Sequence, residues 1–152
     1  MDDDLAVVAQ QLGRRPRAFR GVAVRCPFGR PAVTQQAAFD DEGRPFPTTY
    51  WLTCRYLVEA VARLEAAGGV ERWTRAAAES PELAQSLASA HEEQRRIRPE
   101  LDLGVGGAGP DARGLKCLHA HVAFALARPG YELGERILDE LAPVWPSACC
   151  SQ

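Results

Sequence analysis

The chain has no apolar run approaching the roughly 18 residues that a membrane span needs, so no helical anchor is expected. Its opening residues, Met1-Asp2-Asp3-Asp4, are acidic where a secretory signal carries positive charge ahead of an apolar stretch. An excess of charge of one sign is also lacking. With 18 basic and 20 acidic residues the net charge is -2 and the pI is about 5.9, which argues against a chain-wide footprint for nucleic acid. Lysine is almost missing: Lys116 stands alone among the basic residues, and beside abundant alanine this marks most arginines as compositional. No Cys-x-x-Cys pair, the strong local signature of zinc, occurs anywhere. There is no internal repeat, and the only low-complexity stretch is a glycine loop near position 106. These absences lead to the expectation of a cytoplasmic protein whose thiols stay reduced.

What remains is ordinary globular material. A chain of 152 residues with 46% hydrophobic content can bury a single core without covalent staples, so its five cysteines are not needed for folding. Asp4 can cap a short helix with Leu5, Val8 and Leu12 on one side, ended by Gly13, and Arg14-Arg15-Pro16-Arg17 reads as a loop. β-Branched and aromatic residues then predict strands over Phe19 to Arg25, Ala32 to Phe39 and Thr48 to Thr53, the first two joined by a turn at Pro27-Phe28-Gly29-Arg30-Pro31. After Cys54 the period changes to three and four, through Leu57, Val58, Val61 and Leu64 to the Gly68-Gly69 stop. Further helices are expected over Val70 to Glu79, from the Ser80-Pro81 start to Arg98, from Asp111 to Ala127 and from Glu132 to Leu141. The fold class is α+β: a small three-stranded antiparallel sheet in the N-terminal third, covered by four to five helices. Residues 1–18 form a helix and basic loop, 19–145 a single domain, and 146–152, with Cys149 and Cys150, a mobile tail.

Chemistry can be sought in three places. Cys26 and Cys54 close the first and third strands, and Cys117 opens the late helix just before His119 and His121. On that helix Cys117 and His121, four apart, would share a face, with His119 about 200° from Cys117. Cys26, Cys54, Cys117 and His121 could thus form a Cys3His zinc site, or the thiolates could hold an iron-sulfur cluster. Equally, the cysteines could be small buried hydrophobes, leaving an interaction module without catalysis or cofactor. A second place is the glycine loop: Gly106 and Gly107 precede Arg113 and Lys116, and Arg25 and Arg30 could complete a basic pocket for a small anion. Neither the Gly-x-Gly-x-x-Gly nor the Walker pattern is present. A third is a cysteine nucleophile, Cys117, Cys26 or Cys54, activated by a nearby histidine; the sequence identifies no orienting acid, although Glu65, Asp102 and Asp111 could be brought near. His91, in Ala90-His91-Glu92-Glu93, reads as part of a solvated helix face.

Several of these stretches carry a resemblance. Arg25-Cys26-Pro27-Phe28-Gly29-Arg30-Pro31-Ala32-Val33, Pro47-Thr48-Thr49-Tyr50-Trp51-Leu52-Thr53-Cys54, Arg63-Leu64-Glu65 with Gly68, Gly104-Val105-Gly106-Gly107 and Lys116-Cys117-Leu118-His119-Ala120-His121-Val122-Ala123 resemble the signature blocks of the DUF501 family of uncharacterised, mainly actinobacterial proteins. The resemblance runs from about Phe19 to about Gly134. It implies no activity, although the family's gene neighbourhoods hint at phosphate or polyphosphate metabolism or cell division. It places Cys26, Cys54, Cys117, His119 and His121 in motif blocks and leaves Cys149, Cys150 and His91 outside, which strengthens the expectation of a Cys/His metal centre.

Overall fold

The computed structural model describes residues 2–149, so of the expected tail Cys150 to Gln152 lie outside the described residues. Helix α1 (Asp2–Leu12) leads into strands β1 (Phe19–Arg25), β2 (Pro31–Gln36) and β3 (Tyr50–Leu52), which form one antiparallel sheet in the order β1-β2-β3. Five α-helices follow: α2 (Arg55–Ala66), α3 (Gly69–Glu79), α4 (Pro81–Ile97), α5 (Leu118–Ala127) and α6 (Glu132–Glu140), with single 3-10 turns at Pro99–Leu101 and Val105–Gly107. The α+β class and the N-terminal sheet agree with the reading from sequence.

Local chemistry explains most boundaries. Gly29 has a φ of +82°, where a side chain would be strained, and its N–H closes the β1–β2 turn on the Cys26 carbonyl. Ser80 caps α4 by accepting the Leu83 N–H at 3.2 Å, and Pro81 occupies the first helical position, where its missing N–H does no harm. Strand β2 stops at Gln36 and not at Phe39, because the chain beyond it is held by other partners. Ala37 donates to the Ala18 carbonyl, and Phe46 donates to Ala38. The buried Arg98 guanidinium donates to the carbonyls of Gln36, Ala37 and Phe46.

Helix α5 is the centre of the molecule. Leu118, Ala120, His121, Val122, Ala123, Phe124 and Ala125 are all buried, so α5 is covered on every side, against the sheet, α2 and α6. It is shorter than the pattern from Asp111 predicts. Gly114 has a φ of +75° and lies against Thr74, and the Leu115 N–H donates to Thr74 Oγ1 at 3.1 Å, so 111–117 is drawn onto α3 as a loop. Leu57 and Val61 from α2 and Leu133 and Ile137 from α6 complete the core, each worth about 2 kcal/mol when withdrawn from water.

Candidate functional site

The register of the sheet decides which backbone groups β3 offers. Gln36 donates to the Thr49 carbonyl and Thr53 to the Ala32 carbonyl, so residues 49, 51 and 53 turn their polar backbone groups toward β2. Tyr50 and Leu52 therefore turn theirs outward, along the free edge of the sheet, where they have no backbone partner among the described residues. Both residues are almost fully buried, at 7% and 4% exposure. That edge borders a cavity of about 470 Å³, lined also by Leu12 of α1, Val58 of α2 and Ala120 of α5.

Polar groups are few in this cavity. Thr53 lines it at 1% exposure, and its buried Oγ1 has no hydrogen-bond partner among the described residues. Cys117 and His119 line it from the start of α5, while Arg55 and Glu59 stand on its α2 side with exposed side chains. Glu65 of α2 reaches across to cap α5: its Oε2 accepts the Leu118 N–H at 2.7 Å and lies 3.3 Å from His119 Nδ1. The other ring nitrogen, Nε2, is 3.2 Å from the Val58 carbonyl. The ring of His119 thus lies between two acceptor groups of α2.

This arrangement differs from the one expected for a metal. Cys117 is the N-cap of α5, with extended φ and ψ of -152° and 159°, and so its side chain is off the helical wheel on which the expected pairing with His121 was drawn. It shares the cavity with His119 instead. His121 is on the opposite side of α5, buried, its Nδ1 2.8 Å from the Tyr131 hydroxyl and its ring against that of His91. Cys26 is buried in the β1–β2 turn, and Cys54 is the buried N-cap of α2. Among the described residues no group of three or more His, Cys, Asp or Glu side chains is placed to hold a metal ion, so Cys26, Cys54, Cys117 and either histidine are not assembled into a zinc or iron-sulfur ligand set.

Most amides of the glycine loop are already engaged within the protein. The N–H groups of Gly104, Val105, Gly107 and Ala108 donate to Ala108, His91 Nδ1, Gly104 and Val105 respectively. A Cβ on Gly107 would lie 2.9 Å from Pro47, and one on Gly106 would lie 3.2 Å from Ala120, so these glycines serve close packing. Arg25 pairs with Asp4 at 2.7 Å, while Arg30, Arg113 and Lys116 are exposed. Of the proposed orienting acids, Glu65 does meet a histidine. Asp102 lies 3.8 Å from Arg95, and Asp111 is exposed. No hydrogen bond joins Cys117 to His119 or His121 among the described residues, so the Cys117–His pairing expected on the helix is not formed.

His91 also departs from expectation. It is half-buried, accepts the Val105 N–H at 3.0 Å and has Gly104 pressed on its ring; burial, and after it Arg95, lowers its pKa. Burial, and after it His91, takes His121 down to about 3, while burial raises the Tyr131 hydroxyl well above its ordinary value. Sequence reading passed over Thr53, Tyr50 and Leu52 as site residues. Their aromatic and β-branched pattern signalled only a strand, and nothing in it distinguishes an edge strand from a paired one.

A family model described as a protein of unknown function, DUF501, matches residues 22–102. The match takes in β1 to α4 and the β3 and α2 walls of the cavity, and it ends before the Lys116 to His121 block. No curated protein and no solved structure matches the chain. No helix among the described residues is long and apolar enough to cross a membrane.

Proposed function

The chain belongs to the DUF501 family, and we propose that it is a ligand-binding protein whose cavity beside β3 takes a small molecule with an apolar body and amide-like hydrogen-bonding groups. A cavity of about 470 Å³, mostly apolar with a few convergent polar groups, has the size and lining of small-molecule sites. The observation that carries the reading is the free edge of β3 beside the cavity, where Tyr50 and Leu52 have no backbone partner among the described residues. A buried backbone polar group left unpaired costs about 1–3 kcal/mol, which a ligand offering a donor or acceptor recovers. The outward N–H and C=O groups of Tyr50 and Leu52 present the donor and acceptor pattern that an amide satisfies.

The test is a titration with N-acetyl-phenylalaninamide, followed through backbone amide resonances. The expected result is saturable shifts at Tyr50, Leu52, Thr53 and Ala120, lost in Val58→Phe, whose larger ring enters the cavity. Shifts that are absent at millimolar probe, or that fall elsewhere on the protein, overturn the reading.

A further inference from the structure

The segment 104–108 lies against α4 and α5, and most of its assigned hydrogen bonds stay inside it. The N–H groups of Gly104, Gly107 and Ala108 donate to carbonyls within it. That of Val105 leaves it, donating to Nδ1 of His91 on α4 at 3.0 Å. A backbone N–H can only donate, so Nδ1 is the acceptor and the neutral ring carries its proton on Nε2. A proton added at Nδ1 sets donor against donor and ends the bond. The ring has little room to turn away, since a Cβ on Gly104 would fall 2.4 Å from Nδ1 and 2.8 Å from Cγ. Nor do its surroundings compensate a positive charge. Arg95, one turn along α4, adds a like charge, and the ring of His121 from α5 lies 6.4 Å away between centroids, itself bonded to the Tyr131 hydroxyl. Glu92 is exposed, Glu93 pairs with Arg128, and Asp102 lies 3.8 Å from Arg95. Among the described residues no carboxylate pairs with His91.

We infer that His91 is an acid-operated latch: on taking up a proton it lets go of the Val105 N–H and frees the 104–108 segment from α4 while the rest of the fold stays closed. Three of the five residues freed are glycines, which regain the most backbone freedom on opening. The opening uncovers Val105 and Ala108, each 4% exposed, and withdraws Gly106 from Ala120, whose Cβ lies 3.2 Å from where a Cβ on Gly106 would be. Ala120 lines the cavity beside β3, so acid loosens that wall from behind. Burial, and after it Arg95, holds the pKa of His91 below its ordinary value. Closure is therefore fully stabilised above about 6.5 and loses that stabilisation as pH falls from there toward the folded value. The latch requires no ligand, so it stands or falls apart from the ligand-binding reading.

Amide hydrogen exchange on the full chain, expressed as protection relative to the unfolded-peptide rate at each pH, tests the latch. Protection of the Val105 N–H should fall by about tenfold between pH 7.0 and 5.0, within the ceiling of about thirtyfold that a ring of ordinary pKa near 6.5 sets over that range. The loss should be insensitive to added urea up to about 1 M, the mark of a local opening, while the Phe124 N–H in α5 exchanges only through urea-sensitive unfolding. His91→Gln, whose side-chain oxygen can accept the same N–H and does not titrate, should hold Val105 protection level across the range. Should that variant misfold by circular dichroism, the nitrogen chemical shift of His91 Nδ1 in the wild-type protein takes its place, and it should move from its bare to its protonated value over the pH range in which Val105 protection falls. Val105 protection that does not fall, that falls equally in His91→Gln, or that follows the urea dependence of Phe124 overturns the inference. So does a ring that protonates at Nδ1 while Val105 stays protected.

Discussion

Lowering the pH from 7.5 to 5.0 should remove about 2 kcal/mol of stability through His121 alone. The ring is 2% exposed, and its Nδ1 lies 2.8 Å from the Tyr131 hydroxyl. Burial, with a smaller contribution from His91, takes its pKa from 6.5 to about 3. The folded pKa is depressed, so the stabilisation is whole above the unfolded value and is lost as pH falls toward the folded one. Below about 6.5 the unfolded chain binds a proton that the folded chain refuses, at about 1.4 kcal/mol per pH unit. At pH 5.0 the window entered is about 1.5 units, hence about 2 kcal/mol. His91, also lowered, adds to the loss in the same direction. The lowered carboxyl of Asp40, at about 2, gives up its contribution only below the ordinary carboxylate range and does not enter this window. Urea unfolding reads the effect. With a slope of about 2 kcal/mol/M the midpoint should fall by about 1 M between pH 7.5 and 5.0. His121→Asn keeps an acceptor near Nδ1 but does not titrate, and His119 is common to both proteins, so the difference between their pH profiles isolates His121. An unmoved wild-type midpoint, or an equal fall in His121→Asn, refutes the reasoning.

Three further outcomes follow from the packing. Ser80→Ala removes the acceptor of the Leu83 N–H and should cost about 1 kcal/mol, seen as a Tm lower by about 3 °C in a thermal scan. Gly104→Ala places a Cβ 2.4 Å from His91 Nδ1 and must displace the ring from the Val105 N–H. A loss of about 2–3 kcal/mol in urea unfolding is expected, and a neutral result would mean that the 104–108 loop shifts freely. Glu65→Ala should destabilise by about 1–3 kcal/mol by leaving the half-buried Leu118 N–H without its acceptor. Glu65→Gln, which keeps an oxygen there, should restore most of it; equal losses in the two would show that the cap bond is not what matters.

Elements whose causes are local were legible in the sequence, and those caused from afar were not. The Ser80-Pro81 start of α4 is written in adjacent residues, and its cap bond spans only three positions. The three strands follow from β-branched and aromatic content, although β2 and β3 came out shorter than expected. The start of α5 depends on Thr74, which holds the Leu115 N–H from α3, and on Glu65, which caps Leu118 from α2. Periodicity within 111–127 contains neither partner, so it extends the helix seven residues too far toward its N-terminus. His91 fails for the same reason: its neighbours Glu92 and Glu93 suggest solvent, while the chain segment that covers it arrives fourteen positions later, with Gly104 and Val105.

The site turns on that helix start. Had α5 begun at Asp111, Cys117 would lie within it and would face with His121 toward Tyr131. Because the helix begins at Leu118, Cys117 keeps an extended conformation and lines the cavity that His119 also lines. The two histidines are then divided by the helix itself. His119 bridges to α2 through Glu65 and the Val58 carbonyl at the cavity wall, and His121 is withdrawn into the core with Tyr131 and His91. A motif of one cysteine and two histidines, which read along the chain suggests ligands converging on one metal, thus separates into a thiol beside a ligand-sized space, a cross-helix brace and a buried core base. The acid sensitivity belongs to the last of these. His121→Asn should therefore flatten the pH profile of stability, and Cys117→Ser should leave that profile unchanged.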